Sequence, residues 1–453
     1  MDLVGLIPQF GNVAFTIAAF VAALTIIVFI HEYGHYIVGR WSGIHAEVFS
    51  IGMGPVLFAR IDKRGTKWQI AAFPIGGYVK FLGDANAASA GADEEALQAL
   101  SPQERRASMA GAPLWARAST VAAGPVFNFI LSIVIFAGFA MSQGVATEPL
   151  TVASLPDMPG LEAGEDSLEP GDEILAIDGK PTPGLAQFAQ YVEELPDQSP
   201  LDYTVRRDGV TLDVLAPHPY PPIVGAVSPG SAAMEAGLEA GDVILSLDGQ
   251  KVATFAQMRE IVGKSEGRPL ALQVWRKDEG GEKVLDFTLV PRKVDLPLAE
   301  GGFETRWLIG VSARFLFEPA SRALGPIEAL KAGVGQTEYI ITASVSGLYH
   351  MIVGDISSCN LRGPIGIAQT SGQAAAQGVS NFIWFIGVLS TAIGFLNLFP
   401  IPILDGGHLV FFAYEAVARR KPSERVLNIL MTIGLVLVLG LMAFGLTNDL
   451  RCP

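Results

Sequence analysis

Charge is scarce in this chain. Asp, Glu, Lys and Arg make up 17% of it, hydrophobic residues 50%, and the mean hydropathy is +0.39. A soluble enzyme of this length carries more charge, so a fold immersed wholly in water is excluded. Cysteine is scarcer still. Two residues, Cys359 and Cys452, make no disulfide framework, and the sequence leaves open whether they pair. Basic residues are outnumbered, 31 against 45 acidic ones, for a net charge of −14. An acidic, water-exposed region argues against nucleic-acid binding. The N-terminus lacks the basic stretch and the small-residue cleavage site of a secretory signal, Asp2 being its one early charge. The first apolar run is therefore expected to be retained.

What the chain has in place of charge is long apolar runs. Four are expected to cross a bilayer as helices, at 12–36, 118–141, 379–404 and 426–447. Lys and Arg beside the spans set the orientation. Arg419, Arg420, Lys421 and Arg425 crowd the 405–425 loop and the start of the last span, and Arg40, Arg60, Lys63, Arg64, Lys67, Lys80, Arg105, Arg106 and Arg117 fill 37–117. Both segments read as cytoplasmic. The N-terminus, the 142–378 region with both cysteines inside or beyond it, and the C-terminus then lie outside.

The first span ends in His31-Glu32-Tyr33-Gly34-His35. Ionisable groups are costly in a membrane and are kept there for a function. On a helix, residues i and i+4 share a face, so both imidazoles can bind one Zn²⁺ while Glu32 acts as general base on a metal-activated water. A catalytic zinc needs a third protein ligand. Asp405 is the best candidate: it is the first charge after Arg362 and follows a run broken by Pro400 and Pro402. The competing reading of Asp405 is an ordinary Asp-Gly turn. The first and third spans both run inward, so their metal-ligand ends reach the same depth near the cytoplasmic face, an agreement the motif search did not require.

The middle of the chain repeats. Gly171-Asp172 through Asp178-Gly179 reads GDEILAIDG, and Gly241-Asp242 through Asp248-Gly249 reads GDVILSLDG. Each is a Gly-Asp, an apolar strand and an Asp-Gly turn. Two α+β modules are expected at 146–218 and 221–293, with helices around 186–194 and 255–262. Residues 162–169 alter the first copy. The stretch 48–81 reads as β-rich, two apolar strands about a turn at Asp62-Lys63-Arg64-Gly65. It follows the zinc helix, so it is expected to form a sheet beside the site, dipping into the membrane. Gly52, Gly54, Gly76 and Gly77 permit close approach and are candidate substrate-binding positions. Gly124-Pro125 interrupts the second span, and Asn128 beyond it must find a polar partner, either the zinc helix or substrate backbone. Asn397, just before the proline break, could stabilise an oxyanion. For both asparagines a helix–helix hydrogen bond is the structural alternative. The 326–353 segment reads as an amphipathic helix on the outer membrane surface, with Tyr339, Ile340, Val345, Leu348 and Met351 recurring. The 84–106 stretch reads as a loop or short helix.

HExxH, the Asn397-x-x-Pro-x-Pro-x-x-Asp405-Gly motif and the paired modules together resemble the site-2 protease family of intramembrane zinc metalloproteases, in particular its bacterial regulator-of-sigma-E type. The resemblance covers nearly the whole chain. It implies a polytopic α-helical protein of the bacterial inner membrane, with four transmembrane helices, a membrane-associated β-segment and two extracytoplasmic PDZ-like domains. It implies Zn²⁺ on His31, His35 and Asp405, Glu32 as base, and Asn397 as a substrate or oxyanion residue. Implied substrates are transmembrane segments of single-span proteins, such as a trimmed anti-sigma factor and signal-peptide remnants, cut in regulated intramembrane proteolysis during stress response. The modules are implied to bind peptides or to exclude untrimmed substrates. The alternative is a catalytically inactive membrane scaffold or chaperone, against which the intact Glu32 argues. Too few polar residues line the spans for a zinc transporter.

Overall fold

A computed structural model describes residues 3–84, 99–159, 161, 166–278, 280–298 and 302–452. Asp2, most of the 84–106 stretch and residues 162–165 of the altered loop lie outside the described residues. The chain divides into two units.

The first unit is a helix bundle. Helix α1 is Leu3–Trp41 and helix α2 is Leu114–Gln143. Between them run strands β1, Ala46–Ile61, and β2, Lys67–Phe81. After the second unit come α3 (Pro326–Val353), α4 (Pro364–Ala376), α5 (Val379–Asn397), α6 (Asp405–Ala418) and α7 (Glu424–Arg451). Four helices are long and apolar enough to span a membrane: Val13–Trp41, Leu114–Gln143, Val379–Asn397 and Glu424–Arg451. The third stops at Asn397, short of the expected 404. Pro400 and Pro402 cannot donate to a continuing ladder, and a turn occupies 398–404 before α6 restarts.

One expectation is corrected here. Helix α2 runs unbroken through Pro125, so Gly124-Pro125 does not interrupt it; neighbouring helices hold a proline-containing spanning helix together. In α3 the buried residues are Ala329, Gly333 and Thr337. A side chain at Gly333 would meet the Ile133 carbonyl of α2 at 2.5 Å. Small residues let helix backbones approach, while Tyr339, Val345 and Leu348 face outward.

The β1–β2 hairpin is more folded than two strands. Ile51 pairs with both Ile70 and Gly77, and Phe49 with both Trp68 and Val79, while Phe58 pairs with Ile70. Each strand bends on itself, giving four limbs in the order 77–81, 46–51, 67–70, 56–61. Asp62 organises the turn, accepting from the Arg64 and Thr66 amides and from Trp68 Nε1. Phe49, Trp68, Tyr36 and Phe29 stack between the sheet and α1. At the far limb Leu57 is 71% exposed and Phe58 63%, an apolar ribbon suited to lipid.

At the opposite end, Asp449 of α7 caps α4 by accepting from the Gly363 and Ile365 amides, and Asn448 donates to the Ser358 carbonyl. Cys359 and Cys452 form a disulfide beside them. Helix α4 in turn lies against α1, where Gly372 meets Thr16.

The second unit carries both repeats. Each has a four-stranded antiparallel sheet with the same strand order, built on Glu173–Ile177 and Leu201–Arg207 in the first and on Val243–Leu247 and Leu270–Asp278 in the second. The repeat extends to ion chemistry: buried Asp172 pairs with Arg207, and buried Asp242 with Arg276. The second module does not end at 293. Strand Val311–Ala313 pairs with Val224–Val227, and Ile309 enters its core. The chain then returns to the first module: Glu318–Pro319 pair with Val152–Ser154, and Leu316 and Phe317 complete that core. The second module is thus nested in the first, a non-local closure that local periodicity does not reveal.

The junction of the modules holds a buried histidine. Thr254 and Gln257 of the second bond to Asp197 of the first. Next to them, His218 Nδ1 accepts from the Tyr220 amide at 3.1 Å. Burial pushes the His218 pKa down, with the Tyr220 carbonyl and Asp197 opposing. A folded pKa below the unfolded value of about 6.5 means that the unfolded chain binds the extra proton first. The stabilisation is complete above about pH 6.5 and is lost as pH falls from there towards the folded value. Thermal unfolding of the full chain should therefore show the second unit melting earlier at about pH 5.5 than at about pH 8. His218→Asn, which keeps an acceptor and cannot titrate, should flatten that dependence; an unchanged slope would exonerate His218.

Candidate metal centre

Three donors converge where α1, α2 and α6 meet. His31 and His35 lie one turn apart on α1, and Asp405 is the first residue of α6. His31 Nε2 is 3.1 Å from Asp405 Oδ2, His35 Nε2 is 3.5 Å from Asp405 Oδ1, and the two Nε2 atoms are 3.2 Å apart. A tetrahedral zinc with bonds of about 2.0–2.1 Å spaces its ligands about 3.3 Å apart, so the donors fit that ion. Among the described residues no other trio of His, Cys, Asp or Glu donors converges in this way.

The surrounding groups fix the imidazoles. His35 Nδ1 is 2.8 Å from the Thr120 carbonyl, an obligate acceptor. The proton therefore sits on Nδ1 and the Nε2 lone pair faces the centre. His31 Nδ1 lies 3.2 Å from the amide of Asn128, which is fully buried with one amide end unpartnered. The two ends of an amide exchange by rotation. With its oxygen on His31, Asn128 keeps the Nδ1 proton in place and leaves Nε2 for a metal. Ser390 of α5 and Ser132 of α2 donate to the Asn128 carbonyl, and Gly394 lets α5 approach it. Asn128 thus lies against α1, at His31.

Two glycines that sequence reading passed over make the centre possible. A Cβ at Gly124 would lie 2.3 Å from His35 Nε2 and 2.8 Å from His31 Cε1. At Gly34 it would lie 2.5 Å from the Ala123 carbonyl. Each helix thus offers bare backbone to the other. The available signal was Gly124 directly before a proline inside an apolar span.

Glu32 lies against the sheet limb nearest α1. Gly77 packs on it, a Cβ there lying 3.1 Å from Glu32 Cγ. Gly52, Gly54 and Gly76 stand elsewhere: all have positive φ and form the corners where the strands bend. Asn397 ends α5 and, among the described residues, has no side-chain hydrogen-bond partner. His408 lies one turn along α6, beside Phe411 and outside the trio.

Sequence comparison places these motifs in a wider set. The model of peptidase family M50 matches residues 19–441. The chain is similar to a protein of Agrobacterium fabrum named as a zinc metalloprotease, with 36% identity over 96% of this chain and 95% of that one. A Rhizobium meliloti protein with the same type of name is 36% identical over 97% of each chain. The regulator of sigma-E protease RseP of Salmonella typhimurium is 33% identical over 97% of this chain and 99% of that one.

Proposed function

This chain belongs to peptidase family M50, the site-2 proteases, and is a zinc metalloendopeptidase of a membrane; from that premise we propose that it cuts transmembrane segments of single-span proteins at the His31–His35–Asp405 centre. The observation that carries the reading is the convergence of three donors at 3.1–3.5 Å at the end of a membrane-spanning helix. A zinc ion held there would polarise a water and a peptide carbonyl. Glu32, packed against Gly77 of the sheet, takes the proton of the attacking water and delivers it to the leaving nitrogen. Thr120 and Asn128 hold the imidazoles. The bent sheet with Gly52, Gly54, Gly76 and Gly77 borders Glu32 and offers strand edges on which an unwound substrate can pair. Asn397, with a free amide at the end of α5, is assigned to substrate backbone or the developing oxyanion.

The active site faces the cytoplasmic end of α1 in this reading, with both termini and the two modules on the outer side of the bacterial inner membrane. The Lys and Arg distribution supports that orientation, and so does the Cys359–Cys452 disulfide, a bond of oxidising compartments. The nested modules resemble PDZ domains and are assigned to peptide capture or to exclusion of untrimmed substrates. Substrates of the anti-sigma-factor class, already trimmed outside, and signal-peptide remnants fit such a filter.

The test is cleavage of a tagged single-span substrate in detergent with zinc, its outer segment either short or intact, before and after chelation. Zinc-dependent cutting within the span, faster for the short form, is expected. A zinc-loaded protein that leaves both forms whole while sustaining its cellular role would favour the scaffold.

A further inference from the structure

Asp405 has a positioning problem. It begins α6, but α6 is not continuous with α5. The turn 398–404 intervenes, with prolines at 400 and 402, so no helical ladder carries the placement of one helix to the next. The bundle must fix α6 through contacts of its own. Gly406 and Gly407 seat its first turn beneath the carbonyls of Leu398, Phe399 and Ile401. A helix held at one end still pivots.

The second anchor is Glu415, ten positions along α6 and so about 15 Å from Asp405. Its carboxylate accepts two bonds from Arg117 of α2, Nη1 to Oε2 at 2.9 Å and Nη2 to Oε1 at 2.7 Å. Arg117 is 8% exposed, donates through Nε to the Ala112 carbonyl, and lies over the Phe412 ring of α6 at 5.2 Å. This is a fork-to-fork pair, whose two parallel bonds fix an angle as well as a distance. One turn further along α2 is Thr120, whose carbonyl orients His35. The same stretch of α2 therefore governs one ligand directly and another through α6.

We propose that the Arg117–Glu415 pair is a latch that sets Asp405 in register with His31 and His35, remote from the metal yet controlling how tightly it is held. Removing one partner of a buried pair strands the other charge and destabilises the fold, whereas exchanging the two charges restores the pair, so the exchange separates helix register from stability. The Arg117 bonds also hold the Glu415 carboxyl below the usual carboxylate range, with Lys421 adding to the effect. The proposal rests on the reading of His31, His35 and Asp405 as the zinc site.

The experiment uses full-length protein loaded with zinc. Zinc release to a chelator, thermal midpoint, kcat and KM are measured for wild type, Asp405→Ala, Glu415→Gln, Arg117→Lys and the exchange Arg117→Glu with Glu415→Arg. Glu415→Gln and Arg117→Lys should release zinc about tenfold faster or more, with the loss in kcat rather than KM and a lowered thermal midpoint that the exchange recovers. The exchange should restore most of the slow release. Wild-type release rates in both single variants, with Asp405→Ala releasing zinc fast, would overturn the latch alone. Asp405→Ala that holds zinc as wild type does would instead overturn the site reading beneath it. If the single variants unfold, the exchange decides: a folded exchange protein with slow release supports the latch, and one that folds yet releases zinc fast overturns it.

Discussion

Gly124→Ala should empty the metal centre. The added methyl would sit 2.3 Å from His35 Nε2 and 2.5 Å from its Cε1, far inside van der Waals contact. It therefore claims the space of the ligand nitrogen. Neither helix can yield easily, because Gly34 brings α1 against the Ala123 carbonyl and the Phe127 side chain of α2. Alanine improves helix propensity by about 1 kcal/mol, so the fold should persist while zinc is lost. A displacement of about 1 Å in a reacting group costs about a hundredfold in rate, and expulsion of a ligand should cost more. Metal content and cleavage rate, measured together with the thermal midpoint, check this. Full zinc occupancy with normal cleavage would mean that the two helices approach less closely than described.

Glu32→Gln should do the opposite, keeping zinc and losing turnover. The amide matches the carboxylate in shape, so its packing against Gly77 of the sheet limb is kept. The three ligands are untouched. What disappears is the base, since an amide cannot take a proton from water. General acid–base catalysis contributes about a hundred- to ten-thousandfold, and the cleavage rate should fall by that much at equal metal content. Retained activity would move the base to another group. Zinc loss would make Glu32 a ligand.

The contrast between these substitutions marks what the sequence could disclose. His31, Glu32 and His35 were legible because their relation is set within one helix turn. Asp405 was legible because a single charge stands out after a long uncharged run. Gly124 was not, since its importance lies in a partner on another helix. Arg117 was read only as a cytoplasmic charge, and its bond to Glu415 spans most of the chain. In α3 the recurring large apolar residues were visible, while the helix contact made by the small residues Ala329, Gly333 and Thr337 was not. The repeat was visible in the Gly-Asp and Asp-Gly pairs. Its nesting was not, because strand pairing between 152–154 and 318–319 leaves no local trace.

That nesting carries a further consequence. The chain enters the second unit through Val145–Ala146 and leaves it through Ser321–Arg322, and those two short strands pair with each other. Entry and exit are zipped into one stem, and everything between them hangs from it as a cassette. Such a cassette can lengthen, shrink or be exchanged in evolution while the helices that bear the ligands keep their register. The paired modules and the metal-ligand helices are thereby free to change independently within one polypeptide.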